Sequence, residues 1–266
     1  MKLRLYAIAY LIFLYAPIML LPIFAFNQGT IIAFPLSGFT TEWFAALTDN
    51  KSLHSAVQNS LFIAVMTAIF STLLGLCTAR AANMPDFPLK RGAMGLIMLP
   101  LVLPEIIVAV SLLVVMVQVL GVGLSNWTII AAHTLICTPF SVAILNGAFQ
   151  NLDPSMEEAA LDLGETRWNA FRLITLPLVM PGIISSLLIS FTISLDEFII
   201  AFFLAGSNPT MPVYIWGLLR FPGQLPMVMA LGTILVGLSI LLLTIAEIFR
   251  RRGIKRSGGT DTGGFL

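Results

Sequence analysis

Charge is scarce in this sequence. Fourteen Lys and Arg and thirteen Asp and Glu make up 10% of 266 residues, where a soluble domain carries about a quarter. The near balance of signs gives no electrostatic reason to expect a nucleic-acid partner. Cysteine is also rare: Cys77 and Cys137 both lie in apolar stretches, so both are expected to be small buried side chains, and neither a disulfide nor a metal pair is expected. The two histidines are far apart, and no nucleophile–base pair or metal-ligand cluster is visible. Catalysis by this chain is therefore not expected. No G-x-x-x-x-G-K-[ST] phosphate loop occurs, so a nucleotide, if used, must be bound by another chain.

What fills the sequence instead is apolar: 58% of residues, with a mean hydropathy of +0.96. So much apolar surface is satisfied by lipid. Six stretches are long enough to cross a hydrocarbon core of about 30 Å, near residues 7–26, 59–82, 93–119, 127–147, 179–204 and 226–249. The first follows Lys2 and Arg4 like a signal peptide, but it is long for one and reads as an uncleaved span. Between the spans lie a polar loop (27–58), a short basic loop (83–92), a short neutral loop (120–126), a long charged loop (148–178) and a Pro/Gly-marked loop (205–225). If the N-terminus is inside, every Lys and Arg except Lys51 and Arg220 falls on the inside. The positive-inside rule then places both termini in the cytoplasm. A Gly/Ser/Thr-rich tail, 257–266, is expected to be disordered. There is no internal repeat and no separate soluble domain, so residues 1–256 form one membrane domain.

The long charged loop has its own grammar. Asp153 is a good N-cap, Pro154 suits a first helical position, and Glu157 and Glu158 fall in the favourable first turn. Gly164 can end this helix in the left-handed region. Thr166 can cap a second short helix running through Arg172 to Ile174, before Leu176-Pro177 opens the next span. The expected result is two short helices at an angle, held just beneath the membrane and shaped to dock a separate soluble partner.

The run Glu158-Ala159-Ala160, three residues, Gly164, nine residues, Ile174, one residue, Leu176-Pro177 resembles the E-A-A-x3-G-x9-I-x-L-P signature of ABC importer permease subunits. The resemblance implies a type I ABC importer permease fold, all-α, with a cytoplasmic coupling helix whose small alanines let it lie in a groove of an ATPase subunit. It also implies the partners: two copies of an ABC ATPase carrying the ATP and magnesium, a second permease subunit, and a periplasmic binding protein, in a bacterial inner membrane. No cofactor is expected in this chain. Gly38-Phe39-Thr40-Thr41 with Trp43, Pro104-Glu105-Ile106, His133 with Pro139-Phe140, and Ser194-Leu195-Asp196-Glu197 are similar to spermidine/putrescine permeases.

Three acids, Glu105, Asp196 and Glu197, fall inside predicted spans. Each costs about 2.5–3.5 kcal/mol at a helix centre on insertion scales. Ser186, Ser190, Ser194 and Glu197 follow 4-4-3 spacing and form one polar stripe on the fifth span, with Asp196 bordering it. One reading is a cation path in which Glu105, Asp196, Glu197, Ser190 and Ser194 replace part of the hydration of an ammonium group. The other is structural, with these groups hydrogen-bonding neighbouring helices or pairing with a basic residue on a partner subunit. Pro100 and Pro104 are expected to bend the third span just before Glu105. Trp43, Phe44 and Trp127 are expected at the outer interface. His133 near a span end reads as a helix-to-helix hydrogen bond, and Trp216 and Arg220 could belong to a re-entrant gate. The expected function is uptake of a small organic cation such as putrescine or spermidine. Alternatives are an importer for an opine, a quaternary amine, ferric iron or thiamine, an ATP-independent transporter or channel, and a membrane scaffold without transport.

Overall fold

The computed structural model describes residues 2–84 and 88–256; the tail expected to be disordered lies outside them. Among the described residues there are helices, turns and one isolated antiparallel bridge, Asn27↔Phe39, but no strand. The all-α fold that the resemblance implies is therefore what is found among these residues. The chain divides into two compact units, residues 1–51 with 215–266 and residues 52–214.

The first unit holds α1 (Lys2–Ala25), α2 (Glu42–Asp49) and α12 (Leu225–Arg256). Both α1 and α2 pack against α12. Close approach is possible because a Cβ on Gly232 would lie only 3.3 Å from both methyl carbons of Leu21. Phe24, Ala25, Leu47, Ala230 and Leu231 are buried. Half of the segment expected to be a polar loop, 27–58, is helix. It contains α2, and the next helix already begins at Lys51.

The second unit contains α3 (Lys51–Ala82), which begins at the boundary between the units, α4 (Lys90–Met98), α5 (Glu105–Val114), α6 (Asn126–Gln150), α7 (Pro154–Asp162), α8 (Arg167–Ala170), α9 (Leu176–Asp196) and α10 (Ile199–Leu204). A further helix, α11 (Met211–Leu218), straddles the second boundary. Buried positions on α3 recur at Ser60, Ile63, Ala64, Thr67, Ala68, Ser71, Thr72, Gly75 and Ala79, the spacing of one helical face. Cys77 lies off that face and is exposed, whereas Cys137 is buried, which corrects the expectation that both thiols are interior. The core of this unit joins Ile63, Val108, Ala109, Ile129, Ile130, Ile200, Ala201 and Leu204. A second cluster joins Ala79, Leu145, Phe149 and Val179. Small residues set the spacing: a Cβ on Gly75 would fall 2.6 Å from Ser141 Cβ, and one on Gly182 would fall 2.7 Å from Ala148 Cβ. Such small-residue contacts are what let membrane helices approach without a hydrophobic driving force.

Among the described residues, four helices are long and apolar enough to span a membrane, beginning at Arg4, Lys51, Asn126 and Arg167. The predicted third span is broken. Its halves, Lys90–Leu101 and Glu105–Val119, meet at 105°, so the bend expected from Pro100 and Pro104 is present and sharp. The predicted fifth span also breaks, after Asp196 rather than running to 204.

Candidate functional site

The docking loop folds much as its residues dictate. Asp153 Oδ1 accepts from Ser155 N at 3.0 Å and caps α7. That bond holds the Asp153 carboxyl below the usual carboxylate range. At the other end Gly164 has φ +90°, Gly164 N donates to Leu161 O at 3.0 Å, and Glu165 N donates to Ala160 O at 3.1 Å. These two bonds are the paired closure of a Schellman motif. No atom lies within 4 Å of a Cβ built on Gly164, so glycine is required by backbone conformation alone. Thr166 Oγ1 accepts from Asn169 N at 3.2 Å, as expected of a cap. The helix it starts does not stop at Ile174, however. It passes through a π turn, Phe171–Thr175, and continues into α9, so that Arg167–Asp196 is a single span. The π turn falls just before Pro177, whose missing N–H leaves the carbonyl one turn back without an intrahelical partner.

A clamp that sequence reading missed holds α7 in place. Arg80, at the end of α3, forms a salt bridge to Glu157, and Thr175 Oγ1 donates to the other Glu157 oxygen at 3.2 Å. The Arg80 guanidinium also lies 5.6 Å from the Phe171 ring centroid, a cation–π distance. Arg80 first, through its hydrogen bond, holds Glu157 below the ordinary carboxylate value. The one signal for this in the sequence was a lone basic residue where a span ends. Glu157, Glu158, Ile174 and Thr175 line a common cavity of about 450 Å³. Ala160 is buried, while Met156, Glu158, Ala159 and Leu163 are exposed. Met156, Ala159 and Leu163 follow 3-4 spacing, so α7 presents an apolar stripe away from its own unit. Leu176 is half-buried and Pro177 exposed at the start of α9.

The serine stripe of α9 turns inward. Ser186, Ser190 and Ser194 are all buried. Their hydroxyls lie 3.0 Å from Thr72 Oγ1 on α3, 2.9 Å from Ser141 Oγ and 2.8 Å from His133 Nδ1 on α6. Ser190 O also accepts from Cys137 Sγ at 3.7 Å. His133, Cys137 and Ser141 repeat every four residues, as do the three serines, so two polar edges run side by side. His133 therefore makes the helix-to-helix contact expected of it.

The three acids separate by role. Glu197 is buried, and its Oε1 accepts from Ile200 N at 2.8 Å, capping α10. Glu105 opens α5 immediately after the break and is exposed. There its charge faces the favourable end of the helix dipole. Because α5 and α10 pack together, the Glu105 and Glu197 charges lie within electrostatic range of each other. Asp196 ends α9 and is exposed, at the dipole end where a negative charge is least favourable.

The aromatic residues expected at the outer interface make specific contacts. Trp43 Nε1 donates to Asn27 O at 2.8 Å, and Phe44 packs on Phe26 with centroids 4.9 Å apart. Trp127 is exposed and edge-on to Phe62. Trp216 and Arg220 are exposed. The segment after Leu204 is anchored by residues that sequence reading passed over. Asn59 Nδ2 donates to Asn208 O at 2.8 Å, and Met211 N donates to Ser60 Oγ at 2.8 Å.

A model of the family described as "Binding-protein-dependent transport system inner membrane component" matches residues 71–255. The spermidine/putrescine transport system permease protein PotC of Shigella flexneri is 36% identical, over 93% of each chain. The putrescine transport system permease protein PotI of Escherichia coli K12 is 36% identical, over 92% of each. A solved bacterial ABC transporter involved in the import of alginate has a similar fold, with TM-score 0.73, 22% identity and 94% of each chain covered. Helical spans, a capped loop bearing the full signature and a match over most of the chain converge: this protein belongs to the binding-protein-dependent ABC importer permeases, the inner-membrane components of such transport systems.

Proposed function

We propose that this chain is the permease subunit of an ATP-driven importer for a small organic cation of the putrescine or spermidine kind, delivered by a periplasmic binding protein. Both termini and the α7 loop would face the cytoplasm, and an ABC ATPase, in two copies, would dock on α7. The observation that carries the ATPase reading is α7 itself: capped at both ends, clamped by Arg80 and Thr175, and offering Met156, Ala159 and Leu163 outward. The relatives PotC and PotI support the cation reading, as do two carboxylates, Glu105 and Asp196, exposed beside breaks in two membrane helices. Broken helices are where transporters place binding sites, and a bare carboxylate facing hydrocarbon is too costly to be the resting arrangement. These two acids are the residues we assign to the cation path. Glu197 acts from behind them as a cap, and Ser190 and Ser194 hold α9 against α6.

The test is uptake of radiolabelled putrescine by the complex reconstituted in liposomes with ATP inside. Glu105→Gln and Asp196→Asn should each lower uptake at least tenfold while leaving the ATPase bound. Unchanged uptake in both variants would remove the acids from the path. Uptake by this chain without any ATPase would overturn the ATP-driven reading.

A further inference from the structure

Residues 5–41 contain no Asp, Glu, Lys, Arg or His, yet α1 ends at Ala25. The uncharged run thus continues well past the helix that fills the bilayer. Beyond Ala25 the chain forms a folded clip. Gln28 N donates to Gly38 O at 3.1 Å and Thr40 N to Phe26 O at 2.9 Å. The buried Asn27 accepts from Ser37 N at 2.9 Å through its side chain and from Trp43 Nε1 through its carbonyl. Phe26 stacks on Phe39 with centroids 5.1 Å apart, and Phe24 meets Phe34 at 5.2 Å. The close crossing depends on glycine: a Cβ on Gly29 would fall 2.2 Å from Ser37 Oγ, and one on Gly38 would fall 2.6 Å from Gln28 Oε1. The polar atoms of Asn27 are spent inside the clip, and Gln28 and Thr30 are exposed without carrying charge. Its tip is apolar and open, with Ile31 76%, Phe34 65%, Leu36 44% and Phe39 76% exposed.

We infer that this clip is a membrane-interface anchor, with Ile31, Phe34, Leu36 and Phe39 seated among lipid headgroups and upper acyl chains at the end of α1. Three observations favour lipid over water or a protein partner. The apolar surface of the tip is continuous along the chain with that of α1, whose Met19, Leu20 and Ile23 are exposed. No charge interrupts it, and a contiguous exposed apolar surface marks an interaction site rather than a face left to water. The irregular backbone sets the depth: such a segment cannot sit in hydrocarbon with its N–H and C=O groups facing lipid, but it can lie in the hydrated interface. Aromatic side chains prefer that layer. The chemistry recognised is that of the bilayer surface itself and requires no particular headgroup.

Site-directed spin labelling tests this in the complex reconstituted in liposomes, and neither cargo nor ATP enters the measurement. In a Cys77→Ser background, Ile31→Cys and Leu36→Cys would carry the nitroxide, with Asp49→Cys on the exposed face of α2 as the water reference. Power saturation compares collisions with oxygen, which concentrates in lipid, and with a water-soluble nickel chelate. The labels at 31 and 36 should collide more with oxygen than with the chelate, and the label at 49 the reverse. Chelate-dominated collisions at 31 and 36 would overturn the anchor. Low collision rates with both reagents would also overturn it, by showing the tip covered by protein. Phe34→Cys gives an independent third reading should either label disturb the clip.

Discussion

At the scale of single residues, the sharpest case is Gly164. Its φ of +90° with open space around the missing side chain separates backbone strain from crowding. Gly164→Ala should cost about 1 kcal/mol, and Gly164→Asn less, since Asn tolerates the left-handed region. Protease cleavage of the α7 loop should speed up in the order Asn, Ala, Val at this position. Asp196 and Glu197 make the opposite kind of pair, adjacent in sequence and different in task. Glu197→Ala strips a cap and leaves Ile200 N unpaired, so it should lower the unfolding temperature; Asp196→Asn removes a charge from the unfavourable end of the α9 dipole, so it should not lower that temperature while it reduces uptake. Their difference was not legible in the sequence. Periodicity put Glu197 on the serine stripe but could not show that α9 stops one residue earlier and that the carboxylate folds back over the next helix. Gly164, Asp153 and Thr166 were legible because caps and left-handed turns are decided by neighbours a few residues away.

At the scale of elements, two pairings are open to measurement. The first is α7 on α3. Glu157 is held below its ordinary value of 4.5, chiefly by the Arg80 hydrogen bond. A depressed carboxylate contributes stability that is present above its unfolded value, about 4.5, and lost as pH falls through the lower folded value. Hydrogen exchange of the α7 amides, corrected for intrinsic rate, should therefore show less protection at pH 3.5 than at pH 6. Arg80→Gln should shrink that difference by lowering the protection at pH 6, leaving the part that comes from the Asp153 cap. The second pairing is α6 with α9. A double-mutant cycle of His133→Ala and Ser194→Ala should give a coupling of about 0.6 kcal/mol, the usual size for hydrogen bonds between membrane helices. The sequence named the serine face and the isolated histidine separately. Their pairing, along with Asn59 to Asn208 and Arg80 to Glu157, joins positions more than fifty residues apart, and no local pattern carries that information.

At the scale of the whole molecule, composition and hydropathy were enough for a helical membrane protein, because satisfying backbone in lipid leaves so few solutions. They were not enough for the breaks, of which one was legible only from Pro100 and Pro104 themselves and the other, after Asp196, not at all. A window average registers residues 93–119 as one apolar block and cannot see that Pro104 sends the second half off at 105°. For the assembled importer the expected result is that this chain, purified alone, supports no uptake. Transport should return only when the ATPase is supplied, and Leu163→Asp on the open face of α7 should prevent that return without unfolding the permease. The continuous span from Arg167 to Asp196, π turn included, gives that expectation a mechanical form. Thirty residues make a rod of about 45 Å at about 1.5 Å per residue, attached to the Gly164 turn at one end and carrying Asp196 at the other. Tilting such a lever by about 5° at its base sweeps its tip by about 4 Å, more than the length of a hydrogen bond. A carboxylate on that tip could thus exchange one set of neighbours for another without any bond inside the rod being broken.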